Sequence, residues 1–425
     1  MDPARQFSAF LANCSWKRCC AVAVTMACVV IGPLWHLRVI DRVYLPFNRS
    51  DLLQCWAATR VAMSGGDPWS AEAVEHVQAP YYARLPDVRI HSRPQPFFYP
   101  GHLLPLLVAI APLSWPAVRL LFLIVSPLVL FGTIWLALRA LGLPLSRSAA
   151  ILTSVAVCCA WPAMWSFRLQ QLTILIAAAV LAALFCVVRG RHVAAGVLLA
   201  LATTKPPLAI PLILWLLLRA IVRREWRIIA SLCGSLAALL FAASRLTPGW
   251  IPRWLALLHT YPAVPQLQHA FGHIAGVALE AVIAVAAGFT LWRLRSCRAD
   301  SPQFRAGFSL ALAVAVLLSP WQPPMIYNYL LLIPAALFIV FRIPEQPVAA
   351  NLRLLLVAQV AFDVCAAFIS AVGETAAGVW NLWTVLPFLD VLLPLLATVI
   401  LVLEGWRLAK PERPVAPVAI GATAG

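Results

Sequence analysis

Apolar runs long enough to enter or cross a lipid bilayer recur from one end of this chain to the other. They fall at about 19–37, 98–114, 117–138, 148–166, 171–188, 193–222, 228–245, 270–292, 304–319, 328–341, 352–372 and 384–404. A crossing takes about 20 mostly apolar residues. In hydrocarbon each backbone N–H and C=O must find its partner within the protein, so runs of this kind fold as helices. Composition agrees: 62% of the 425 residues are hydrophobic and 11% are charged. A soluble domain has roughly 45–50% and 25%. A soluble domain, a disordered chain and a fibrous repeat are therefore excluded. An all-α polytopic membrane protein remains, in which ten to twelve spans would use roughly half the chain.

The formal net charge is +16. In a soluble protein that would suggest nucleic acid. Here the basic residues sit in short tufts between apolar runs, such as Arg189-Gly-Arg191 and Arg223-Arg224-Glu-Trp-Arg227. Cytoplasmic loops of membrane proteins carry charge in this way, and no basic stripe with interleaved aromatics appears, so a nucleic-acid partner is not expected. Most of the 11 cysteines lie inside apolar runs, with no CxxC spacing, so they act as small hydrophobes. No metal site is expected.

Residues 1–18 read as a cytoplasmic N-terminus ahead of an uncleaved anchor, 19–409 as the membrane domain, and 410–425 as a Pro- and Ala-rich disordered cytoplasmic tail. Within the membrane domain, 41–100 is the longest polar stretch. Its six acids (Asp41, Asp51, Asp67, Glu72, Glu75, Asp87) balance six arginines, so the rest of the chain carries the whole positive excess. The positive-inside rule puts this loop on the non-cytoplasmic face, together with Gln171 and Lys205, and puts Arg189, Arg224 and Arg295 inside. The spacing of Leu52, Leu53, Trp56, Ala57 and Val61 predicts a helix over 51–64 at the membrane surface, with Ser50 as N-cap and a stop at Gly65-Gly66. Two complete spans at 98–114 and 117–138 would leave Arg139–Arg147 outside, against the rule. One of the two is then re-entrant or half-length, with Pro105, Pro112, Pro116 and Pro127 as possible breaks; the sequence leaves open which.

Asp51 opens the predicted loop helix. An acid in a first helical turn is favoured by the helix dipole alone; its place at the mouth of the membrane domain also suits a general base. Lys205 is one of only three lysines against 29 arginines, and it interrupts an apolar run as Thr204-Lys205-Pro206-Pro207. Either it snorkels from a span end, or it faces a cavity or an anion, since an ammonium in hydrocarbon is costly. Gln171 and Thr173 open the next candidate region. Arg93, Tyr99 and His102 stand where the large loop re-enters the membrane, and Tyr327 and Asn328 follow the Pro-rich break after Ser319-Pro320. Tyr99 serves equally well as an interfacial aromatic. P-loop, GxGxxG, GxSxG, HExxH and DxD-like patterns are all missing. A lipid-linked sugar transporter or flippase is the competing class. It predicts repeated halves, which the hydropathy pattern lacks, and the acids within the later runs are few (Glu280, Asp363, Asp390).

In this order the pieces resemble glycosyltransferase family 87, a family of polyprenyl-phosphate-sugar-dependent membrane enzymes of the GT-C type that includes alpha-mannosyltransferases. They are Asp51 ahead of Trp56-Ala-Ala58…Gly65-Gly-Asp67-Pro68-Trp69; Phe98-Tyr99-Pro100; Gln170-Gln171-Leu-Thr173; and Arg189-Gly-Arg191…Ala195-Gly196…Lys205-Pro-Pro207. The resemblance covers 45–230 well and the C-terminal half weakly. This chain departs from the family pattern at Gly101, where a second Pro is usual; at Gln170, where Gly is usual; and at Tyr327-Asn328, where an Asp or His is usual. The resemblance implies a bundle of about ten to thirteen helices with surface helices in the first outer loop. It also implies inverting transfer of mannose or another sugar from a polyprenyl phosphate to an acceptor hydroxyl on a lipid or glycan, at the periplasmic face of a bacterial inner membrane. Neither cofactor nor metal is implied. Asp51 would be the general base and Lys205 would stabilise the leaving phosphate, with Gln171, Thr173, Tyr99, Arg93, His102, Tyr327 and Asn328 as substrate-binding candidates.

Overall fold

The computed structural model describes residues 50–82, 95–143, 145–158, 160–260, 265–319, 326–342 and 387–409. The N-terminal anchor, Arg93, the run at 352–372 and the tail from Lys410 lie outside the described residues. Among the described residues the chain is helical and has no strand. Five helices are long and apolar enough to cross a membrane, and five shorter apolar helices of 10–17 residues accompany them. The chain is thus an all-α polytopic membrane protein.

The first loop holds α1 (Asp51–Met63) and α2 (Ala71–Tyr82). Helix α1 forms where the apolar spacing predicts it and ends at the Gly65-Gly66 stop, with Gly66 N–H donating to the Val61 carbonyl at 2.9 Å. Two details differ from expectation. Ser50 occupies the N-cap position, but its hydroxyl makes no capping bond. And α1 does not lie with one face open: Leu52 through Thr59, then Val61 and Ala62, are all buried. Trp56 anchors it from inside, donating to the Leu113 carbonyl at 3.2 Å and packing on Trp115 at 5.8 Å between ring centroids.

Residues 98–114 form no helix long enough to cross a membrane. They form an extended entry, a 3-10 turn at Gly101–Leu103, a single helical turn at Leu104–Leu107, and further turns. The one crossing is α3 (Trp115–Ala140), which at 26 residues carries Pro116 in its first turn and Pro127 inside. Proline is free at the first turn, where its missing N–H has no intrahelical partner to lose. With one crossing instead of two, Arg139–Arg147 falls at the end expected of a basic tuft.

The return is broken into α4 (Arg147–Cys158) and α5 (Trp161–Leu169). Then come α6 (Thr173–Val188), α7 (His192–Ala202), α8 (Pro206–Arg223), α9 (Trp226–Leu246), the short α10 (Trp250–Leu258) and α11 (Gln266–Phe271), α12 (His273–Arg293), α13 (Pro302–Leu317), α14 (Ile333–Arg342) and α15 (Pro387–Leu408). Helix α13 is the central post. From Ala306 to Leu317 every residue is buried, as expected of a helix that is apolar all round. Helices α7 and α9 pack closely because position 196 is glycine. A Cβ there would lie 2.6 Å from the Ile228 carbonyl oxygen on α9.

Contacts define two ends. At one, Arg219 is fully buried; it forks onto Glu225 at 2.6 and 3.0 Å, donates to the Cys297 carbonyl at 3.0 Å, and lies 4.8 Å from the Phe304 ring centre. Arg223 reaches the Ser296 carbonyl and Arg293 the Ala409 carbonyl at the same end. The basic tufts therefore gather together. Helices α6 and α8 lead from there to the opposite end, where Thr173 and Lys205 stand.

Candidate active site

The end opposite the basic tufts is built from chain breaks. Lys205 is the residue before α8, in a non-helical conformation, with Pro206 and Pro207 opening the helix behind it. The prolines cannot continue the α7 hydrogen-bond ladder, so the lysine is displayed at a corner between two helices instead of along one. Its side chain points inward and is 7% exposed. Nζ donates to Thr173 Oγ1 at 2.8 Å and to Asn328 Oδ1 at 3.0 Å, and lies 4.7 Å from the Tyr327 ring centre. Thr173 in turn donates to Asn328 Oδ1 at 3.4 Å. Three sequence-distant candidates, at 173, 205 and 327–328, therefore form one cluster.

Both hydrogen-bond acceptors of Lys205 are neutral. Among the described residues no carboxylate lies within ion-pair distance of it. An ammonium carries three donors, and beside it the Asn328 Nδ2 is buried with no partner. Burial lowers Lys205 from 10.5 to about 7, with the Asp51 charge opposing, so the cluster presents donors and an amine whose charged form a bound anion would favour.

Asp51 faces this cluster from the first turn of α1. Burial pushes its carboxyl up from 3.8 to about 6, and the Lys205 ammonium pulls the other way. The two candidates therefore feel each other's charge across the site without being in contact. Cys55, one turn along α1, is buried and donates to the Asp51 carbonyl at 3.4 Å.

His102 completes a third side. Thr203 Oγ1 gives its only proton to the Ala200 carbonyl at 2.6 Å, so at 3.1 Å His102 Nε2 must be the donor to Thr203. Burial holds His102 below the usual imidazole range, with the Thr203 contact opposing. Its other nitrogen, Nδ1, is a buried acceptor with no partner. Tyr99 lies beside it within an aromatic group: the Phe97 and Tyr99 rings are 5.9 Å apart, and the Tyr99 carbonyl accepts from Trp69 Nε1 at 3.3 Å. Gln171 is 1% exposed, with its amide oxygen unpartnered. Asp67 does turn work, accepting from Trp69 N–H at 3.0 Å and pairing with Arg253 at 3.5 Å.

Several parts of the site were missed in the sequence. Thr203, which orients His102, is ordinary in context. Trp250 and Trp254 on α10 cover the re-entry segment: Trp254 donates to the Phe98 carbonyl at 2.9 Å, and Trp250 lies so close that a Cβ at Gly101 would sit 2.6 Å from its ring. The departure to glycine at 101 is thereby explained, because only a residue without a side chain admits this tryptophan. The spacing of the two tryptophans was the available signal, but nothing local tied it to residue 101. Among the described residues no three His, Cys, Asp or Glu side chains gather as a metal site would require.

Comparison with known proteins finds no match among curated proteins and none among solved structures. The family model of glycosyltransferase family 87 matches residues 97–320. That is more than half of the chain, reaching further toward the C-terminus than the motifs suggested and beginning after Asp51. It takes in Tyr99, His102, Gln171, Thr173 and Lys205. The chain belongs to glycosyltransferase family 87 and is a multi-pass membrane glycosyltransferase.

Proposed function

We propose that this enzyme moves a sugar from a polyprenyl phosphate to an acceptor hydroxyl on a lipid or glycan, with inversion, at the periplasmic face of a bacterial inner membrane. The observation that carries the reading is the buried Lys205, which among the described residues has no carboxylate within ion-pair distance. A buried ammonium held by Thr173 and Asn328, with the unpartnered Asn328 Nδ2 beside it, suits phosphate oxygens. Lysine is a compact point charge, and the charge of a departing lipid phosphate grows during transfer, so its stabilisation lowers the barrier selectively.

Asp51 takes the acceptor proton as the hydroxyl attacks the anomeric carbon. A carboxylate with a pKa of about 6 is ionised at neutral pH, yet more basic than an ordinary aspartate, as general-base work favours. The bond from anomeric carbon to phosphate oxygen breaks as the new glycosidic bond forms, and the polyprenyl phosphate leaves with the electron pair. No metal is needed in this scheme, since Lys205 supplies the positive charge. His102, Gln171 and Tyr99 line the sugar side. The basic tufts at the other end support a cytoplasmic placement for that end. A transporter would use the same buried lysine, but offers no role for a base held at Asp51.

The test is incubation of purified protein with radiolabelled polyprenyl-phosphate-mannose and membrane lipids. Labelled glycolipid should form with wild type and be lost with Asp51→Asn. Donor movement across a vesicle without any new glycosidic bond would favour the transporter.

A further inference from the structure

Gln170 is the anomaly of this end of the molecule. It sits in the left-handed region at φ 52, ψ 48, where α5 ends. The termination bonds there are regular: Gln171 N–H donates to the Ser166 carbonyl at 2.9 Å and Gln170 N–H to the Phe167 carbonyl at 3.2 Å. Glycine closes such a helix end at no steric cost, and an L side chain strains it. Only one other non-glycine among the described residues has positive φ, Arg224 at the basic end.

The strain is not repaid by a complete set of contacts. Gln170 is 1% exposed, and its amide nitrogen reaches the Arg119 carbonyl at a long 3.4 Å. Its amide oxygen is buried and has no partner. A fully buried acceptor left empty is costly, and strained residues with open polar atoms gather at ligand sites. The position fits: Gln170 precedes Gln171, whose own amide oxygen is also open, and is three residues from Thr173, which holds Lys205. Where Lys205 and Asn328 present open donors, the glutamine pair presents open acceptors. Sugar hydroxyls are the donors that a glycosyltransferase must hold.

We propose that Gln170 is a specificity residue of the sugar site, its amide oxygen accepting a hydrogen bond from one hydroxyl of the bound sugar. This rests on the glycosyltransferase assignment and not on the identity of the donor lipid. The purified protein is titrated with methyl glycosides and their monodeoxy counterparts, and thermal stabilisation is read. For wild type, one deoxy position should weaken binding by about ten- to a hundredfold. In Gln170→Gly, parent and that deoxy sugar should bind alike, because the partner of the missing hydroxyl is gone. Gln170→Asn keeps an amide in a residue that tolerates this backbone but withdraws the oxygen by one methylene, and should also lose the discrimination. If both variants fold and discriminate as wild type does, or if wild type distinguishes no deoxy sugar, the inference is overturned. Failure of the polyprenyl-phosphate donor in the transfer assay, with discrimination intact, would instead remove only the donor reading.

Discussion

Replacing Asp51 by asparagine should make the enzyme nearly inactive and more stable at the same time. The carboxyl is pushed from 3.8 to about 6 by burial, net of the attraction of Lys205. At about 1.4 kcal/mol for each tenfold change in proton affinity, the charged form costs the fold about 3 kcal/mol. The sign follows from linkage. A folded-state pKa above the unfolded value means that the native state holds the proton more tightly. The cost is fully present above pH 6 and is relieved as pH falls from about 6 toward 3.8. Asparagine copies the neutral acid at all pH values, so Asp51→Asn should raise the melting temperature by a few degrees at pH 7.5. At pH 4 the gain should vanish.

Activity moves the other way. Loss of a general base costs about two to four orders of magnitude. In wild type, kcat/KM should fall about tenfold per pH unit below pH 6, as Asp51 takes up its proton, and the residual activity of the variant should lack that limb. Transfer assays across pH 4.5–8 and melting curves in the same detergent give both readouts. Near wild-type turnover in Asp51→Asn would refute the assignment. So would lost turnover with a lowered melting temperature, which would make Asp51 a structural helix-start residue. Asp67, engaged in its turn, is the control, and Asp67→Asn should leave the acid limb unchanged.

Lys205→Met should express normally, since it removes a buried charge, yet raise the apparent donor KM and lower kcat; Lys205→Arg should recover only part, because a planar fork does not reproduce a point charge. Unchanged kinetics in Lys205→Met would move the search for the phosphate site to Arg49, Arg93 and Arg168. Thr173→Val removes one acceptor of the ammonium and should raise donor KM by about three- to tenfold, measured by donor titration; an unaltered KM would mean that Asn328 suffices. In a cysteine-depleted background, a thiol placed in the 41–100 loop should react with an impermeant reagent in intact cells and one at 224 should not; the reverse pattern inverts the topology. Gly196→Ala must push α7 and α9 apart and should cost about 1–3 kcal/mol, visible as a lowered melting temperature.

Class and periodicity were legible because they are local. Long apolar runs fold as helices in a bilayer, and Gly65-Gly66 stops a helix by its own backbone freedom. The crossing count was not, because residues 98–114 are as apolar as a span but are used as turns against α1 and α10; hydropathy does not record what a segment packs on. The same limit explains α1. Its Trp56 and Val61 predict an apolar face, but Gln54, Thr59 and Cys55 on its other sides are also buried, and burial of polar residues follows only from partners elsewhere in the chain.

The site divides in the same way. Lys205 was visible because a lysine in an apolar run has few cheap explanations. Its meaning came from Thr173 and Asn328, one upstream and one far downstream, and no spacing connects 173, 205 and 328. The departures from the family pattern prove to be of two kinds once geometry is present. Gly101 is an accommodation: the side chain is absent so that Trp250 can occupy its space. Gln170 is the opposite, since a side chain is kept where the backbone favours none and its oxygen is left open. Asn328 stands between them. It keeps an oxygen for Lys205, as an acid would, but adds no charge of its own. An aspartate at 328 would pair with Lys205; on the reading proposed above, the neutral amide leaves that charge for the donor phosphate.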